Sequence, residues 1–294
     1  PAERRAKALD RLKAYAGLQP GGTPLTTLAR QRYEERLSNS ALLQPTKIEV
    51  QQSLDNVETY ISGIESLLQK YKVAGADEAM KTLAGQLKDY AAWTRSTVLP
   101  KAREDTRLPA PVYAYQLKQV GIDIDPKLLM QRAQLEFMET RSAMRQLAPL
   151  VVQAKGLKVS DPTDPVAVIR ALKKETIAND QLEGHYRKVI DAIDPLIHEH
   201  QIVDVPQRAM QMRLGSAAES AASPAPHFLP APLVNNTGQQ GTFVLPLGNP
   251  AAGEGAQYDD FNFGSAAWTL SAHEGRPGHE LQFTAMVERG VSLA

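Results

Sequence analysis

Hydrophobic residues recur every three or four positions through the first two thirds of the chain, and this period limits the fold more than any other feature. In LTTLARQRYEERLSN and PTKIEVQQSLDNVETYISGIESLLQKY the Ile, Leu, Val and Tyr residues share one face and the charged residues the other, as in packing helices. Further helices are expected in ADEAMKTLAGQLKDYAAWTRSTVL, in DPKLLMQRAQLEFMETRSAMRQLAPLVVQAKG and in DQLEGHYRKVIDAIDPLIHEH. Asp125 before Pro126 offers an N-cap with Pro at the first helical position, and Gly156 offers a C-terminal stop.

After about residue 200 the pattern changes. IVDVPQRAMQMRL is β-capable, GSAAESAASPAPHFLPAPLVNNTGQQG is rich in Ala, Ser, Pro and Gly, and GTFVLPL is a short β-prone run ended by Gly248 and Pro250. FNFGSAAWTLSAHEG then returns to helix-like writing. The expected fold is mainly α with a small β-sheet, an α+β class. One mixed domain is favoured over two independent modules, with 1–200 as a helical region and 201–294 as a small sheet plus a final helix.

With 294 residues and 43% hydrophobic content the chain can bury a large core, and it holds no apolar run of the roughly 18 residues a membrane span needs. Lys+Arg and Asp+Glu both number 33, so no net field recruits nucleic acid or anionic lipid. With no Cys, disulfides, thiol nucleophiles and Cys-based zinc sites are all ruled out, and any metal must use His and carboxylate. The start at Pro1 leads us to expect a removed N-terminal segment, and LQFTAMVERGVSLA, which ends without a cap or polar tail, leads us to expect missing C-terminal sequence.

The chemistry concentrates in SAHEGRPGHELQF, residues 271–283. A hydrolytic zinc site takes His nitrogens and carboxylate oxygens and leaves a position for water. In His-Glu-x-x-His both His reach one metal from one helical face. Here His273 and His279 are six apart, which on an unbroken helix places them roughly 120° apart in projection and about 9 Å along the axis. Pro277 and Gly278 can break that helix and swing His279 back toward His273. On spacing alone, GRPG reads at least as well as an ordinary loop between two helices with surface His residues.

The longer string HEGRPGHELQF resembles the signature of a bacterial family catalogued as domain of unknown function 885, matching at His273, Glu274, Pro277, Gly278, His279, Leu281 and Gln282. That family is grouped with zinc peptidases of the gluzincin type, and its members are often exported proteins or lipoproteins. The resemblance implies a zincin-like helical metallopeptidase architecture in which residues 1–200 form one wall of a cleft. It implies zinc on His273 and His279, with Glu274 activating the water, and leaves Glu280 at most in contact with a ligand side chain and not with the metal. It also implies an edge strand that pairs with an extended peptide substrate, and GTFVLPL is the candidate, through Gly241, Thr242, Phe243 and Val244. Pro246 is tolerable at such an edge. A plain surface hairpin is the equal alternative.

The family's third zinc ligand, a Glu in a downstream Glu-Gly-Trp type segment, has no counterpart here. Glu288 alone follows the motif, too close to it to match well, so the third ligand is expected on a missing C-terminal segment. Asp259 and Asp260 could hold a carboxylate against a ligand His, with helix capping as the alternative. His198 and His200 read as a solvated helix end, His185 as a helix-surface residue, and His227 as part of a Pro-rich loop. Arg276 reads as a binder of a substrate carboxylate or of a neighbouring acid, and equally as a solvent-exposed loop residue. No Gly-x-Ser-x-Gly elbow or phosphate-cradling loop is present.

The expected function is a zinc-dependent peptidase acting on peptide substrates, periplasmic, secreted or lipid-anchored by resemblance, with a cytoplasmic location left open. The alternatives are a non-catalytic helical binding or scaffold protein and an inactive fragment of the peptidase. Sets of His and carboxylate also accept other divalent ions.

Overall fold

The helical period of the N-terminal region becomes a series of short amphipathic helices in the computed structural model, which describes residues 2–206, 208–247 and 260–290. The chain divides into two compact units. The first comprises 1–107 with 215–224 and 246–257, and the second 108–214 with 225–245 and 258–294. The change of writing near residue 200 falls within the second unit and marks a change of secondary structure.

In the first unit lie α1 (Ala2–Tyr15), α2 (Leu25–Arg36), α3 (Lys47–Asp55), α4 (Val57–Lys70) and α5 (Asp77–Trp93). Leu12, Ala16, Ile61, Met80 and Leu83 form one apolar cluster, and Val50, Leu54, Ala91 and Val98 another. The long stripe from 45 to 71 is two helices, divided at Asn56. Thr46 and Glu49 close a capping box at the start of α3. α5 passes into a π-turn, Thr94–Val98, and a 3-10 turn containing Pro100.

The second unit holds α6 (Ala110–Gln119), α7 (Pro126–Lys155), α8 (Pro165–Leu172) and α9 (Asn179–Glu199). At the start of α7, Asp125 accepts from the Lys127 amide at 2.7 Å, and the helix stops at left-handed Gly156, φ 62°. Three short strands follow, β1 (Met212–Leu214), β2 (His227–Leu229) and β3 (Thr242–Leu245), with α10 (Ala217–Ala222) between the first two in sequence but belonging to the first unit. Leu182, Tyr186, Val189, Ile193 and Ile197 line one face of α9 and pack with Met212, Phe243, Leu245, Phe261 and Ala267. Tyr186 is fully buried and donates its hydroxyl to the Phe261 carbonyl at 2.7 Å, and burial raises its pKa.

The sheet order is β1-β3-β2, with β1 parallel and β2 antiparallel to β3. β3 is thus central, which corrects the edge-strand expectation for Gly241, Thr242, Phe243 and Val244. Both sides of β3 are taken by Met212–Leu214 and His227–Leu229, so its backbone has no free edge for a peptide. Its residues gave the sign: Phe243, Val244 and Leu245 are consecutive and all buried, as in a strand covered on both faces. Pro246 follows the last paired residue, where its missing amide costs no ladder bond. Among the described residues of the β-capable run 202–214 only Met212–Leu214 are strand, and Gly248 and Pro250 lie outside the described residues. Among the described residues no helix is long and apolar enough to cross a membrane.

Candidate metal centre

The motif sits on a broken helix. α11 (Ala266–Leu270) widens into a π-turn, Ser271–Gly275, the chain turns through Arg276, Pro277 and Gly278 with the Arg276–Pro277 peptide cis, and α12 (His279–Arg289) restarts at the second His. The Gly278 amide donates to the Ala272 carbonyl at 2.9 Å. A Cβ on Gly278 would stand 1.9 Å from the His273 carbonyl oxygen, so the backbone approach that folds the two segments together admits only glycine. The break brings the His273 and His279 rings to a centroid distance of 4.9 Å, nearly perpendicular. An unbroken helix would have held them apart.

One ligand atom each from His273, Glu274 and His279 lie within 4.8 Å of one another. Glu274 is buried beneath, while the His273 side chain is 65% exposed and its Nε2 lies 3.8 Å from Glu274 Oε1. Zinc with nitrogen ligands near 2.0–2.1 Å needs donors about 3.3 Å apart in a tetrahedron. The exposed His273 ring has room to rotate that far, so the donor set fits a borderline divalent ion. His279 Nδ1 is 2.9 Å from Gln282 Oε1. With that oxygen accepting, Nδ1 carries the proton and Nε2 keeps its lone pair for a metal. Gln282 belonged to the motif but had no assigned role. Its signal was its place three residues after His279 on one helix.

Arg276 binds neighbouring acids, one of the readings open to it from sequence, whereas Glu280 departs from the expected place beside a ligand histidine. Arg276 is 2% exposed, neither a loop residue in water nor open to a substrate. Its Nε donates to Glu280 Oε2 at 2.9 Å, and its guanidinium nitrogens donate to Asp194 Oδ2 at 3.2 Å and to the Arg208 carbonyl at 2.7 Å. Glu280, 1% exposed, also takes an ion pair from Arg208 at 2.6 Å. The partners of Glu280 are thus arginines and Thr284, not a histidine ring. This buried network ties the turn carrying Arg276 to the first turn of α12.

The remaining candidates stand apart. Asp260 is exposed and pairs with Lys173, and Asp259 lies outside the described residues. Glu288 is not in the cluster and lines a neighbouring pocket instead. His227 is on β2, not in a loop, with Nδ1 2.9 Å from the Ala225 carbonyl oxygen. His185 is half-buried, its Nε2 3.4 Å from the Gly264 carbonyl oxygen, and His198 and His200 are exposed at the end of α9. Thr269, Pro277 and Gln282 border an open depression over the two histidines.

No curated protein matches the chain significantly. A solved structure described as a "putative lipoprotein of unknown function from Shewanella oneidensis" matches with a TM-score of 0.51 at 18% identity, over 86% of this chain and 48% of its own. The likeness is one of fold, and the chain spans about half the length of that relative. A family described as bacterial protein of unknown function (DUF885) matches residues 1–294, and the chain belongs to that family.

Proposed function

We propose that this chain carries the metal-binding part of a zinc-dependent peptidase with a zincin-like arrangement. The supporting observation is the convergence of His273, Glu274 and His279 across a helix break that only Gly278 permits. His273 and His279 hold the ion through their imidazoles, and Gln282 orients His279. Zinc, when bound, supplies the Lewis acidity that polarises a peptide carbonyl and makes water acidic. Glu274, buried against the cluster, takes the proton of the attacking water and passes it to the leaving amine. With Glu274 as base, the site needs one more protein donor. We assign it to polypeptide beyond these 294 residues, which the greater length of the solved relative leaves room for. The lipoprotein description of that relative supports an exported or lipid-anchored protein.

Glu274→Gln separates the roles open to this carboxylate, in the longest natural polypeptide carrying the chain. A general base leaves zinc affinity largely unchanged and loses peptide hydrolysis; a metal ligand loses both together. Hydrolysis that survives the substitution overturns the reading. Stoichiometric peptide binding without turnover in the zinc-loaded protein would favour the non-catalytic binding alternative.

A further inference from the structure

Beside the histidine cluster the second unit holds a pocket of about 290 Å³ walled by Phe228, Phe283 and Val287. A row of rings joins it to the cluster. From the His273–His279 contact, His279 reaches Phe283 at 6.2 Å, and Phe283 stacks on Phe228 at 5.8 Å with the planes 20° apart. Phe283 stands four residues after His279, so one face of α12 presents both. Behind Phe228, a Cβ on Gly241 would lie 2.2 Å from the ring's Cζ, so the bare backbone there is what lets the ring lie where it does.

Arg208, Asn236 and the Gln239 side-chain oxygen at this pocket are engaged within the protein, and Gln240 and Glu288 line it as well. Arg208 pairs with Glu280 and donates to Thr284. The Asn236 amide donates to the Pro232 and Gln239 carbonyls and accepts from the Gly238 amide, while the Gln239 side chain accepts from the Thr237 amide. Glu288 lines the pocket from the exposed end of α12, where water screens it. Apart from Gln240 and Glu288, what remains for a ligand is aromatic and aliphatic surface. The volume falls just below the roughly 300–1,000 Å³ of a whole small-molecule site, the size for one side chain with its adjoining backbone.

We infer that this pocket receives an uncharged apolar side chain, aromatic or branched aliphatic, of a peptide lying across the histidine cluster. That the ligand is a peptide rests on the peptidase reading; the apolar preference rests on the pocket. A charged side chain would lose much of its water against the mainly aromatic and aliphatic wall, with only the solvent-screened Glu288 to offer a countercharge.

The test is a titration of metal-free protein with blocked tripeptides Ac-Ala-X-Ala-NH2, where X is Phe, Leu, Gly, Asp or Lys. Phe and Leu peptides are expected to bind about tenfold tighter or more, the size of effect from burying one such side chain. Phe283→Ala should remove the preference. Val287→Phe, which fills the pocket while leaving the histidines and both rings of the stacked pair in place, should remove it too. Equal or absent binding across the series, a Lys peptide binding tightest, or a preference unchanged in Val287→Phe overturns the inference. Hydrolysis of the same peptides by the longest natural polypeptide carrying the chain, loaded with zinc, is scored separately. Selective binding without cleavage supports the pocket and counts against the peptidase reading, whereas cleavage without selective binding does the reverse.

Discussion

Glu280→Gln probes the network that joins the two halves of the motif. The carboxylate is 1% exposed and accepts from Arg276 at 2.9 Å and Arg208 at 2.6 Å. A glutamine keeps one acceptor but turns an amide donor toward a guanidinium, leaving Arg276 charged at 2% exposure. Breaking one side of a buried pair costs about 3–5 kcal/mol. Asp194 still meets Arg276 at 3.2 Å and is itself about one-third exposed, which points to the lower end, about 3 kcal/mol. At roughly 2–4 °C per kcal/mol for a unit of this size, the melting temperature should fall by about 6–12 °C. The chain has two Trp, Trp93 in the first unit and Trp268 in the second. Urea unfolding followed by fluorescence in a Trp93→Phe background therefore reports the second unit. Replacing the pair together, Arg276→Met with Glu280→Leu, should recover part of the loss by removing the fully buried Arg276 charge, with the partly exposed Arg208 and Asp194 left to solvent. A loss below about 1 kcal/mol for Glu280→Gln, the range of a surface pair, would refute this account of the network.

Other substitutions test separate links. Gly278→Ala must push the Ala272–His273 carbonyls away and should abolish zinc binding measured by isothermal titration, since the new Cβ starts 1.9 Å from an oxygen. Gln282→Ala frees the His279 ring and should weaken zinc by about 10–100-fold in the same titration, with the unfolding midpoint nearly unchanged. Tyr186→Phe removes the buried 2.7 Å hydrogen bond to the Phe261 carbonyl and should cost about 0.5–1.5 kcal/mol in urea unfolding.

Locally written features were the legible ones. The ends of α7 follow from Asp125, Pro126 and Gly156, each acting on its own backbone. The convergence of His273 and His279 was foreseeable because Pro277 and Gly278 lie between them in sequence. The break at Asn56 was hidden because Asn56 keeps helical angles, and neither Pro nor Gly marks it. Properties set by distant partners could not be read in this way. The central place of β3 depends on strands that begin 30 and 15 residues earlier, and the burial of Arg276 depends on Asp194 and Arg208. Period also shows that a helix has an apolar face without showing what covers it: Leu135, Phe137, Met138, Leu147 and Leu150 of α7 are exposed.

The most direct measurement of the central claim is zinc content and affinity for the unaltered chain beside His273→Ala and His279→Ala. We predict one zinc ion per chain, lost or greatly weakened in either variant while the fold, followed by circular dichroism, stays intact. Zinc binding unchanged by both substitutions, or no binding by the chain or by any longer polypeptide containing it, would contradict the assignment of His273, Glu274 and His279 as a metal centre.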